Sequence, residues 1–110
     1  MRFAGRLTRL ISVRHNGVHG LRLTFARSAK RHGISEERGR YVVEHCGMPL
    51  YPPDEAGLPV VMFLGLDQHG IALEVAAVEI EPDELIAIHA MRLREKFRSD
   101  LERAMATHDR

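Results

Sequence analysis

The sequence has no tryptophan, only 5% aromatic residues and a single cysteine, Cys46, in 110 residues. Its core must therefore be aliphatic, built from Leu, Ile, Val, Met and Ala. One cysteine allows no intrachain disulfide, and neither a CxxC pair nor a Cys/His zinc framework is present. A reducing, cytoplasmic setting is the expectation that follows. No apolar run approaches the roughly 18–20 residues that cross a bilayer, so no membrane role is expected. Glycine-rich phosphate-binding patterns and the G-x-S-x-G nucleophile turn are missing, which leaves nucleotide-fold and hydrolase readings without support. His15, His19, His45, His69 and His108 show no metal-ligand spacing, so neither a metal nor a cofactor is expected.

What is present suits one globular domain: 45% hydrophobic and 28% charged residues in 12.5 kDa. The net charge of +1 conceals a strong segregation. Residues 1–40 carry ten Lys/Arg against two acids, residues 41–90 carry nine acids and no Lys or Arg, and residues 91–110 carry six Lys/Arg and four acids. A fold with a basic side and an acidic side is implied, which is a pointer to nucleic-acid contact. An unevenly charged, solvated surface would have the same composition.

Residues 1–20 hold four Arg and no acid, with Phe3, Leu7, Leu10 and Ile11 at helical spacing. A transit peptide, a basic arm and an upstream extension share this pattern. We treat residues 1–20 as a basic arm and residues 21–110 as a single domain. Leu21, Phe25, Ser28, Ala29 and His32 then form one helical stripe, with Gly33 placed to close a helix. Ser35, Glu36 and Glu37 predict the start of a second helix, carrying Tyr41, Val42, Val43 and Cys46 on its apolar side and weakened by Gly39. The proline-rich segment from Met48 to Pro59 predicts irregular structure or a short edge strand.

Val60–Leu64 reads as a buried strand, and Asp67-Gln68-His69-Gly70 as a hairpin turn. The next strand alternates Ile71, Leu73 and Val75 with Ala72, Glu74 and Ala76, then changes phase at Val78 and Ile80, which predicts a β-bulge. A third strand, Leu85 to Ala90, points Ile86, Ile88 and Ala90 one way and Leu85, Ala87 and His89 the other. Leu93, Phe97, Leu101, Ala104 and Met105 mark a last helix, with Arg94 and Arg98 on another stripe. The fold expected is α+β: a small antiparallel sheet of three to four strands, two N-terminal helices and one C-terminal helix, the helices on one face.

Three groups could carry chemistry: Lys30-Arg31-His32, His89, and the run Arg92, Arg94, Lys96, Arg98. Guanidinium forks suit phosphate oxygens, and imidazole moves protons near neutral pH. Together they permit metal-free RNA cleavage. Each has a plainer reading as well. His32 lies on an apolar stripe, which favours a half-buried, hydrogen-bonded ring. His89 alternates with core residues, so packing and chemistry are both open, and Arg94 and Arg98 could be solvated helix-face charges.

Ser28-Ala29-Lys30-Arg31-His32-Gly33-Ile34-Ser35 resembles the helix–helix junction of small bacterial toxins of the BrnT-like group, within the RelE/ParE superfamily. Gly65 to Val75 resembles their glycine hairpin, and Ile88 to Arg98 their last strand and basic helix. The resemblance runs over roughly residues 25–105. It implies a RelE-like toxin of a type II toxin–antitoxin pair, an endoribonuclease silenced by a cognate antitoxin. Its partners would be that antitoxin, RNA and, as a further candidate, the ribosome, with operator DNA bound only through the antitoxin complex. Relatives often carry an Arg entering the strand before the hairpin, where this chain has Pro59, Val60, Val61 and Met62. The expected site is then His89 and His32 for proton transfer, with Lys30, Arg31, Arg92, Arg94 and Arg98 for RNA phosphate. A non-catalytic nucleic-acid or partner-binding module is the alternative.

Overall fold

The computed structural model describes residues 22–46, 49–51 and 60–108. The arm expected at residues 1–20 and most of the proline-rich segment lie outside the described residues. The architecture is α+β. Strand β1 (Arg22–Phe25) leads into a 3-10 turn (Arg27–Lys30) and helix α1 (Glu36–His45); strands β2 (Val60–Leu66), β3 (Ala72–Glu81) and β4 (Glu84–Arg92) follow, then a second 3-10 turn (Glu95–Phe97) and helix α2 (Arg98–His108). The four strands form one sheet in the order β1-β4-β3-β2.

Local signals account for much of this. Ser35 caps α1, its Oγ accepting from the Arg38 amide at 3.2 Å, and Glu36 and Glu37 fill the first turn. The hairpin between β2 and β3 closes through Asp67, whose Oδ1 accepts from the amides of His69 at 2.8 Å and Ile71 at 2.9 Å. Burial alone raises the Asp67 carboxyl. The Ile71 amide, the Arg38 side chain at 2.7 Å and the His69 amide outweigh it and bring the pKa down to about 2. A depressed carboxyl contributes stability above its unfolded value of about 4 and loses it as pH falls through the folded value. The stability gap between wild type and Asp67→Asn should therefore narrow from about pH 4 downward through about 2. Urea midpoints between pH 5 and 2 test this, and a constant gap would count against it.

The predicted first helix does not form. Residues 22–25 are a strand paired in parallel with β4, so the sheet is mixed rather than antiparallel. The i, i+4 spacing of Leu21 and Phe25 fits a helix, but Leu23 is the buried residue of β1 and Thr24 is exposed, which is strand alternation. Gly33 does take up the left-handed conformation, φ 76°, yet it follows a turn and closes no helix.

The helices also occupy opposite faces of the sheet, not one. Val42 and Val43 of α1 pack with Val61, Phe63, Leu73, Val75, Ala77, Leu85 and Ala87. Leu101 of α2 packs with Met62, Leu64 and Ala76 on the other side. Gly39 lets α1 sit close to β1, since a Cβ there would fall 2.9 Å from Cε2 of Phe25. With both faces covered, polar alternation is lost along the central strands.

One bulge lies on β4, opposite the middle of β3. Ala76 pairs with His89 and Ala77 with Ala87, so Ile88 is the extra residue, while β2 and β3 stay in register from Val60 to Leu66. A second falls on β3 itself, where Glu79 pairs with Leu85 and Glu81 with Glu84, so Ile80 is the extra residue, close to the phase change at Val78 and Ile80 that predicts a bulge.

Candidate functional site

The Ile88 bulge decides where His89 points. Leu85 and Ala87 face the α1 side, and regular alternation would send His89 with them into the core. One inserted residue reverses the parity. His89 therefore shares a face with Ala76 and, two residues along β3, with Glu74, while Ala90 returns to the α1-side core.

The edge of β4 that β1 leaves uncovered is taken by the 3-10 turn. The Ala26 amide donates to the Ala87 carbonyl at 2.8 Å, and Ser28 Oγ donates to the carbonyl of the bulged Ile88 at 2.8 Å. Ala29 is completely buried beneath. These anchors set the end of the turn beside the bulge. The rings of His32 and His89 meet there edge-on, centroids 5.7 Å apart and planes at 70°. His32 is exposed. The half-buried ring expected on a helix is thus corrected, because the apolar stripe that would have buried it belongs to a helix that is not there.

Behind His89 lies Glu74, its side chain wholly removed from solvent. One carboxylate oxygen accepts from the Arg94 amide at 2.9 Å; the other accepts from Arg94 Nε at 2.9 Å and Nη2 at 2.6 Å, and lies 2.9 Å from His89 Nε2. Burial by itself pushes this carboxyl up, but the Arg94 side chain and amide, then His89, override it and hold the pKa below its ordinary value. Glu74 is ionised at neutral pH. Arg94 adopts an extended conformation ahead of the second 3-10 turn, so it does not share a helical stripe with Arg98, and its guanidinium lies 5.4 Å from the Phe97 ring centroid.

The structure thus brings together His32, His89, Glu74 and Arg94. Lys30 pairs with Glu36 at 3.0 Å, and Arg98 with Glu95 at 3.3 Å, both exposed. Arg31 is exposed and immediately precedes His32. Arg92 ends β4 opposite Leu73, on the other face from His89. Glu74 is not among the residues the sequence singles out; it is one of three acids in β3, with Glu79 and Glu81, and its place between Leu64 and Met91 comes only from strand pairing. A separate cavity of about 290 Å³ lies between α1, the hairpin and α2, lined by Tyr41, His45, Leu66 and Met105 among others, away from the two imidazoles.

No family model, curated protein or solved structure matches this chain. Among the described residues, no helix is long and apolar enough to cross a membrane, and no three His, Cys, Asp or Glu side chains converge as metal ligands would.

Proposed function

We propose that the chain is a toxin of a type II toxin–antitoxin pair, acting as a metal-independent endoribonuclease. One observation carries this reading: two imidazoles from distant segments meet at the surface, and a buried carboxylate backs one of them. RNA cleavage of this kind needs one base and one acid at neighbouring points on the phosphate. One imidazole takes the proton from the ribose 2′-OH, and the 2′-oxygen bonds to phosphorus. The P–O5′ bond breaks and the second imidazole protonates the departing oxygen, leaving a 2′,3′-cyclic phosphate and a 5′-hydroxyl. Arg31, Lys30 and Arg98 are the exposed cations offered to the RNA backbone. Arg94 has a different part from the one the sequence suggested, since it holds Glu74.

The antitoxin would cover the same basic, imidazole-bearing surface with an acidic segment. A second reading, a binding module without chemistry, is favoured by one fact: Arg94, Lys30 and Arg98 each already hold a carboxylate of the chain itself. Induced expression separates the two. Wild type should arrest growth with loss of cellular RNA, and His89→Ala should do neither. Arrest without RNA loss, or equal RNA loss from both proteins, would favour the binding module or remove His89 from the reaction.

A further inference from the structure

The Glu74 carboxylate can only accept hydrogen bonds while ionised, and the Arg94 guanidinium and amide keep it so. His89 Nε2 lies 2.9 Å from one of its oxygens, so that nitrogen must carry a proton in either charge state of the ring. The neutral ring is then left with its lone pair on Nδ1. No other hydrogen bond to the ring is formed among the described residues. We propose that Glu74 is a positioning residue that fixes the tautomer of His89, leaving Nδ1 as the nitrogen that exchanges protons with substrate. This rests on the ribonuclease reading for its functional half and on geometry alone for the tautomer.

The groups facing the His89 ring are accounted for by element: Glu74 from β3, Arg94 through Glu74 from the segment after β4, and His32 from the turn before α1. Among the described residues, only Glu74 forms a hydrogen bond with the ring. His32 meets it edge-on, without one. Arg94 therefore acts on His89 indirectly, by keeping the acceptor charged and still. The carboxylate is locked at both oxygens, so the ring plane is defined by a partner that cannot rotate away. This is the arrangement by which outer partners set the orientation of a working imidazole.

The test reads the tautomer on the protein without RNA, by nitrogen NMR of the histidine ring above its titration. Wild-type His89 should show Nε2 in the protonated range and Nδ1 in the lone-pair range. Glu74→Met combined with Arg94→Met removes the acceptor together with its counter-charge, so Nε2–H loses its partner and the tautomer should become mixed, with kcat for RNA cleavage lowered about 10- to 100-fold and KM little changed. A wild-type ring protonated on Nδ1 overturns the proposal without needing any variant to fold. A fall in kcat for this double variant with the wild-type tautomer retained also overturns it, because Glu74 would then be merely structural. The wild-type tautomer found as expected in a protein that cleaves no RNA counts against the ribonuclease reading and leaves the geometric half standing.

Discussion

Replacing Arg94 with methionine is expected to destabilise the fold by about 2–3 kcal/mol, lowering Tm by about 10–20 °C. Glu74 is fully buried, and Arg94 supplies three of the four hydrogen bonds to its carboxylate. The backbone amide survives the substitution, but the counter-charge does not. An uncompensated buried carboxylate typically costs about 3–5 kcal/mol; the lower figure applies because 43% of the Arg94 side chain is exposed and water can partly replace it. The double substitution Glu74→Met with Arg94→Met should recover most of the loss, since Leu64 and Met91 flank Glu74 in register. Chemical denaturation of the two variants tests this. Equal destabilisation by single and double variants would mean that the charge is not what matters there.

The largest expected effect on activity comes from the imidazoles. His89→Ala and His32→Ala should each lower kcat/KM for RNA cleavage by about 10²–10⁴-fold. Combining them should add little, because an acid and a base acting in one step fail together. Fully additive effects in the double variant would place the two rings in separate roles.

The parts legible in the sequence are those set by neighbours along the chain. Ser35 with Glu36 and Glu37 announces α1, because capping is satisfied within one turn. Asp67 and Gly70 announce the hairpin for the same reason. The α+β class and the presence of a last helix follow from periodicity, but the helix starts at Arg98, so Leu93 and Phe97 reach the α2 side of the sheet from an extended segment and a 3-10 turn ahead of it.

What escaped was set by partners far away. β1 has four residues and is held by pairing with residues 84–87, so a chance helical spacing outweighed it. The β4 bulge is invisible because Ile86, Ile88 and Ala90 read as unbroken alternation, although Ala90 lies on the opposite face from the one that alternation implies. Glu74 alternates with core residues in the sequence, and its burial depends on Arg94, twenty residues away. The sequence reading assigns His32 and His89 to one site but places His32 on a helix; the structure sets the two rings together through a 3-10 turn that Ser28 ties to the bulge.

The most direct measurement is the chemical identity of the cut ends when purified protein and a synthetic RNA are incubated with excess chelator. Wild type should give a 2′,3′-cyclic phosphate and a free 5′-hydroxyl, and His89→Ala the same ends at a rate about 10²–10⁴-fold lower. Intact RNA in both reactions, or equal rates from both, would contradict the proposed reaction.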